Sequence, residues 1–269
     1  MKKLEQLDQS NIGASFLIYG PTGCGKTGST LTCPGPICFI NVEEKDPRLV
    51  HLQIGLPEGL KIDYYQPDSF DDLGEFLNDL LGQAQEGKLP YKTIFFDGLT
   101  FGQSNFKAEL EDARKAERVS KDDYRGIIDR TRLEKPDWDV LNSLMLRTTR
   151  LLTSFTKYGL VVVATSIDTQ EGYRRYGGGI RTAPYLQGAA FPRLLHGLFD
   201  FIGYVTKPFT YSDGKPIQAR VGFVSLEDQE GDTFLARCSS SDIYEKTAKY
   251  GPAPLDFAKI MSILQGKGK

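Results

Sequence analysis

The chain has 269 residues, 40% of them hydrophobic and 25% charged, which is enough apolar material for a full core and the ordinary composition of a globular rather than a disordered chain. A formal net charge of −2 gives no global attraction to nucleic acid, and no apolar run approaches the ~20 residues needed to cross a bilayer, so no membrane partner is expected. Four cysteines, at 24, 33, 38 and 238, are too scattered for a disulfide framework, and His51 and His196 lie too far apart, without companion cysteines, to suggest a zinc site.

Residues 1–14 read as an N-terminal arm. Its start, Met1-Lys2-Lys3-Leu4-Glu5-Gln6, lacks the apolar core of a secretory signal, so a cytoplasmic setting is expected. Ser15 to Tyr19 is a short apolar run ending at glycine, which predicts a buried parallel strand delivering the chain to a turn, and Ile37 to Val42 is a second. From Asp71 to Leu81, Leu73, Phe76, Leu77, Leu80 and Leu81 recur at helical spacing and predict an amphipathic helix leading into the strand Thr93 to Phe96. A further helix is predicted over 140–158, followed by the most apolar strand, Leu160 to Ala164. Strands alternating with helices imply right-handed crossovers and a parallel sheet covered on both faces, within one domain.

Two segments interrupt that rhythm. Phe106 to Lys135 mixes charges of both signs and reads as a solvated helical excursion within 104–139. Gln170 to Ala190 is rich in glycine and arginine without periodicity, which predicts a mobile, structureless loop over 169–190. Beyond it, Phe199 to Val205, Ala219 to Ser225 and Thr233 to Arg237 read as strands, with a turn signal at Ser212-Asp213-Gly214. They predict an antiparallel extension at the sheet's far edge, and residues 265–269 form a glycine-lysine tail expected to be flexible.

The chemistry concentrates after the first strand. Gly20-Pro21-Thr22-Gly23-Cys24-Gly25-Lys26-Thr27 has the Gly-x-x-x-x-Gly-Lys-Thr pattern of a phosphate cradle between a strand and a helix, with Gly28 completing it. Glycines let the backbone aim several N–H groups at one anion, and the helix that follows adds its positive end. In such a cradle Lys26 reaches the β- and γ-phosphates of ATP and Thr27 gives its hydroxyl to Mg²⁺. Asp97, at the end of Thr93-Ile94-Phe95-Phe96 and before Gly98, is placed to hold the metal through water from a neighbouring strand. Glu43 ends the strand expected beside the cradle's own and is the candidate for orienting the attacking water, with Glu44 as its rival.

This order of motifs resembles the RecA-like ATPases, most closely the core-only members encoded by tailed phages that accompany single-strand annealing, over about Phe16 to Leu264. The resemblance implies a RecA-like P-loop α/β fold, a mostly parallel twisted sheet flanked by helices with an antiparallel C-terminal extension. Phe39-Ile40-Asn41-Val42-Glu43 is similar to the family's strand with the catalytic glutamate, and Val161-Val162-Val163-Ala164-Thr165-Ser166 to its sensor strand. Thr165 and Ser166 stand where the family's recombinases often place glutamine or histidine. Arg237 resembles a basic residue that reaches the nucleotide of the next subunit, which implies a homo-oligomer, ring or filament, with ATP at the interface.

The glycine-arginine loop occupies the position of the family's second DNA-binding loop. Arg174, Arg175 and Arg181 would neutralise phosphates, and Tyr173 and Tyr176 offer faces for unstacked bases. The expected function is a DNA-stimulated ATPase acting with single-stranded DNA in phage-type recombination, alongside an annealing or single-strand binding protein. The competing expectation is an ATP-gated scaffold that binds a recombinase or replication protein and turns over slowly.

Overall fold

The computed structural model describes residues 12–120, 132–173, 179–188, 190–195, 197–207, 210–212, 215–217, 219–223, 233–246 and 252–266. Strand β1, Ala14–Gly20, begins inside the stretch expected as an arm, and the phosphate-loop sequence follows it. The next helix is a short 3-10 helix of six residues, Thr27–Thr32, rather than a long α-helix. Hydroxyls explain the brevity: Thr30 donates to the Thr27 carbonyl and Thr32 to that of Ser29, so side chains take up acceptors that a continuing helix needs. Cys33-Pro34 then closes it.

Strand β2, Ile37–Asn41, leads to α1, Pro47–Ile54, which Asp46 caps by accepting from the Arg48 N–H. After β3, Ile62–Tyr65, Ser69 caps α2, Phe70–Gln85, and β4 runs Thr93–Asp97. Helix α3, Leu99–Ser120, starts directly after Gly98, and α4, Lys135–Ser154, starts five residues before the predicted Val140, with Pro136 in its first turn and a Glu134–Asp137 capping box. A 3-10 turn, Phe155–Tyr158, joins α4 to β5, Val161–Tyr173. Then come β6, Gly179–Pro184, α5, Ala190–Leu195, and β7, Phe201–Lys207. The chain ends with β8, Thr210–Ser212, β9, Lys215–Ile217, β10, Arg220–Gly222, β11, Thr233–Phe234, β12, Arg237–Cys238, α6, Ser241–Lys246, β13, Ala253–Pro254, and α7, Phe257–Leu264.

The main sheet has the order β13-β10-β7-β1-β5-β4-β2-β3. From β3 to β7 all neighbours are parallel, and β10, β12 and β13 add antiparallel pairings at the C-terminal end. Each central strand alternates between two cores. Leu17 and Tyr19, Cys38 and Ile40, and Val162 and Ala164 join Leu73, Leu77, Leu141 and Met145 on one face. Phe16, Ile18, Phe39, Phe95 and Val163 join Phe223, Phe257 and Ile260 on the other, where Phe16 stacks on Phe201 at 4.9 Å. No helix among the described residues is long and apolar enough to cross a membrane.

Three expectations are corrected. The strand bearing Glu43 is not beside β1: β5 and β4 both lie between, and β4 is itself one strand removed, because β1 pairs with β5 and β7. The region 169–190 is not structureless, since β5 continues to Tyr173 and pairs antiparallel with β6 from Asp168↔Pro184 to Tyr173↔Gly179. Backbone pairing rather than apolar burial builds this hairpin, which is why hydrophobic periodicity misses it. The charged excursion is partly anchored: Phe106 is buried, and Arg114 of α3 pairs with the buried Asp137 of α4. The Ser212-Asp213-Gly214 signal agrees with the pairing Ser212↔Lys215 between β8 and β9, though 213–214 lie outside the described residues.

Close packing at the far edge can be tested at Gly203, where an added Cβ would lie 2.5 Å from Val221 Cγ2 and 2.8 Å from a Phe223 ring carbon. Gly203→Ala is expected to destabilise the fold by ~1–3 kcal/mol. Melting temperature measures it, at about 2–4 °C per kcal/mol for a chain of this class; an unchanged value would contradict the packing described.

Candidate functional site

Parallel strands bring their C-terminal ends to one rim, where β2 ends in Asn41 and β4 in Asp97, and β5 passes through Thr165 and Ser166. Asn41 of β2 is level with Asp97 of β4, Phe96 with Ala164 of β5, and Gly20 of β1 with Ile167 of β5. The loop after β1 exposes Pro21, Thr22 and Gly23 as a crest and buries Cys24 and Lys26. Gly23 and Gly25 hold φ of 79° and 98°, a region that side chains rarely adopt, so the turn needs glycine at both. Lys26 curls back on its own loop, its Nζ donating to the Gly20 and Pro21 carbonyls, each at 2.8 Å, with Cys24 Sγ at 3.6 Å. Burial pushes the Cys24 thiol up, so it stays protonated despite the nearby ammonium.

Asp97 is the centre of the rim. It is 2% exposed, and its carboxylate accepts from the Thr27 hydroxyl at 2.7 Å and the Thr165 hydroxyl at 2.6 Å, while Thr165 accepts from the Gly98 N–H at 2.8 Å. Desolvation raises its proton affinity above the usual carboxylate range, against the two donors and the charge of Lys26. Glu43 approaches from β2. Gly98, at φ 105°, has no side chain, and a Cβ there would lie 2.7 Å from Glu43 Cγ and 3.3 Å from its Oε1. Glu43 is half-buried, and burial followed by the charge of Asp97 raises it also. Glu44 is exposed, so of the two glutamates Glu43 is the one turned toward Asp97.

The donor set fits a hard divalent cation. The Thr27 hydroxyl and Asp97 are oxygen donors already in contact, and a carboxylate buried with hydroxyls as its hydrogen-bond partners gains from a cation. Lys26 is the basic group at the loop. Gly28 serves packing: a Cβ there would meet Ile54 Cδ1 at 2.5 Å, so it lets α1 lie flat on the turn.

Ser166 and the hairpin are joined to α3 by groups that the sequence reading passed over. Thr100 Oγ1 lies 2.8 Å from Ser166 Oγ, 2.9 Å from the Tyr185 carbonyl and 3.3 Å from the Ile167 N–H that it accepts. The buried Gln103 amide donates to the Gln187 carbonyl at 2.9 Å and accepts from its N–H at 2.6 Å. Thr100 and Gln103 sit one turn apart just after Asp97-Gly98, ahead of the charged stretch. The only available signal was two polar residues on the apolar face of an amphipathic helix. Tyr19 shares its one hydroxyl proton between the carbonyls of Leu235 at 2.7 Å and Thr182 at 3.0 Å, tying β1 to β6.

Of the other predicted residues, Arg181, Tyr173 and Arg237 are the described ones, and they belong to β6, β5 and β12. Arg181 is on β6, opposite Glu171 in the ladder, and Tyr173 ends β5. Arg174, Arg175 and Tyr176 lie outside the described residues. Arg237, exposed on β12, pairs opposite Ile202, which is level with Leu17, below the rim of its own chain.

A family profile described as AAA domain matches residues 12–237, which spans every rim residue named above. No curated protein matches the sequence. Among solved structures, the chain is similar to a KaiC-like protein of the hyperthermophilic archaeon Pyrococcus horikoshii OT3, at 15% identity and a TM-score of 0.42 over 78% of each chain.

The buried carboxylate has a stability signature. Below the ordinary carboxylate range Asp97 is protonated in folded and unfolded chains alike; as pH rises, the unfolded chain ionises first and the folded state loses stability until Asp97 also ionises. Without divalent cations, Asp97→Asn is therefore expected to melt higher than the wild type at neutral and alkaline pH, with the gap closing in acid. A gap that is absent or reversed across a pH series of thermal melts would contradict the electrostatics described.

Proposed function

This chain belongs to the AAA-domain family of P-loop ATPases, and on that premise we propose that it hydrolyses Mg²⁺-ATP at the rim formed by Gly20–Gly28, Glu43, Asp97 and Thr165, acting with single-stranded DNA. The observation that carries the reading is the buried Asp97 between the Thr27 and Thr165 hydroxyls, with Glu43 facing it across Gly98. Lys26 exchanges the Gly20 and Pro21 carbonyls for phosphate oxygens when the nucleotide enters. Thr27 and Asp97 would hold the magnesium, which when bound would offset charge on the phosphates. Glu43, made more basic by burial and by Asp97, orients the attacking water and takes its proton. Thr165 fixes Asp97 and carries its position into β5.

The hairpin that leaves β5 is the proposed DNA element. Tyr173 ends β5, the sequence between β5 and β6 contains Arg174, Arg175 and Tyr176, and the segment after β6 is hydrogen-bonded to α3 through Thr100 and Gln103. Because α3 begins right after Asp97, nucleotide state and hairpin position are mechanically linked. Arg237 is proposed to act on a neighbouring subunit's nucleotide in a ring or filament, in a phage-type recombination or annealing reaction. A second reading, the ATP-gated scaffold, is favoured by Leu49 and Leu52, each 70% exposed on α1, and by Leu56 beyond it.

ATP turnover measured with and without single-stranded DNA over a salt series tests both readings. Stimulation that declines steeply with salt is expected. Lys26→Ala is expected to lose ~10²-fold or more of the turnover, and Glu43→Gln to keep nucleotide binding while losing about 10²–10⁴-fold in rate. Turnover indifferent to every single strand, with a partner protein retained only in the ATP state, would move the assignment to the scaffold.

A further inference from the structure

His51 has no part in the chemistry described above, yet it is completely buried and, with Pro47, forms the inward side of α1. Its ring is held at three points. Nε2 lies 3.1 Å from the Thr27 carbonyl, Nδ1 lies 2.7 Å from the Tyr64 hydroxyl, and the ring meets Phe39 edge-on at 5.4 Å. A carbonyl can only accept, so Nε2 carries the proton and Nδ1 accepts from Tyr64. One neutral tautomer satisfies both partners.

The residue so held is Thr27, whose hydroxyl sits on Asp97 and which begins the short 3-10 helix. A short 3-10 helix has poorer hydrogen-bond geometry than an α-helix and so restrains its first residue less. Here α1 supplies the missing restraint from outside, with Ile54 against Gly28 and His51 on the Thr27 carbonyl. The same helix begins shortly after Glu43, across a turn closed by the Asn41 side chain donating to the Lys45 carbonyl. One helix thus packs on the loop side of the rim and follows Glu43 closely in the chain.

We propose that His51 is a positioning residue of the phosphate site: its Nε2–H holds the Thr27 main chain so that the Thr27 hydroxyl is presented to the metal beside Asp97. Tyr64 holds the imidazole in the required tautomer. The proposal deepens the Mg²⁺-ATP reading and rests on it. It places His51 one shell behind a metal ligand, where loss of a partner commonly costs ~10–100-fold in metal affinity or activity.

The test compares wild type, His51→Gln, His51→Leu and Tyr64→Phe by calorimetric titration with ATP in Mg²⁺ and in EDTA. Nucleotide affinity in EDTA, set by the loop and Lys26, is expected to be the same in all four. The gain in affinity on adding Mg²⁺ is expected to shrink about tenfold in His51→Leu, and to recover in His51→Gln, whose amide can donate to the same carbonyl. Equal impairment of Gln and Leu, or a wild-type Mg²⁺ effect in Leu, overturns the proposal. Should His51→Leu fail to fold, Tyr64→Phe decides: a reduced Mg²⁺ effect supports the proposal and an unchanged one overturns it.

A readout independent of nucleotide is the ring ¹⁵N spectrum of the apo protein. The chain has 2 histidines, so the signal lost in His51→Gln assigns His51. The Nε2-protonated pattern is expected and the Nδ1-protonated one overturns the proposal. If wild type binds no ATP at all, the ATPase reading fails, whereas the spectrum still reports on His51.

Discussion

A carboxylate buried at the end of a central strand, held by hydroxyls and facing a second carboxylate, is the constraint on which the rest of this structure turns. Asp97 cannot be relieved by solvent, and its desolvation is answered only in part by Thr27 and Thr165. Glu43 adds a like charge nearby. In the absence of a cation the rim is electrostatically unfavourable by construction, and the fold tolerates it because two aromatic and aliphatic cores, one on each face of the sheet, hold the strands beneath it. Stability is thus concentrated below the rim and chemical potential at it, the usual division in an open α/β sheet.

Lys26 shows the complementary half of the same logic. The residue is 8% exposed and its ammonium donates to carbonyls of its own loop, so cation and carboxylate are kept apart rather than paired. A Lys26–Asp97 ion pair would neutralise both groups and leave neither for a ligand. The loop glycines, by allowing Lys26 to fold back, preserve the charge separation that a polyphosphate with its metal can bridge. Thr100, Gln103 and Tyr19 then connect the rim to the β5–β6 hairpin through hydrogen bonds to backbone groups.

The phosphate loop and the strand-end carboxylates were legible in the sequence because each depends on local facts: glycine spacing, a lysine, an acid closing an apolar run. The apolar runs of β1, β2, β4 and the first part of β5 were legible for the same reason. Strand order was not, since parallel crossovers bring together segments whose pairing no local pattern encodes, and Glu43 was placed beside the wrong strand. The hairpin was hidden because Thr169, Gln170, Glu171 and Gly172 carry no apolar alternation and are held by ladder bonds to β6. His51 and Gln103 have partners 24 and 84 residues away, which no local pattern encodes, and only the folded chain shows them satisfied.

The most direct measurement is a crystal structure of the protein with Mg²⁺ and a non-hydrolysable ATP analogue. The account requires Lys26 Nζ to leave the Gly20 and Pro21 carbonyls for phosphate oxygens, and the Thr27 hydroxyl and Asp97 to part and take up positions around the metal, with Glu43 remaining across Gly98. Nucleotide bound elsewhere, or Lys26 still folded on its loop with Thr27 donating to Asp97, would contradict it.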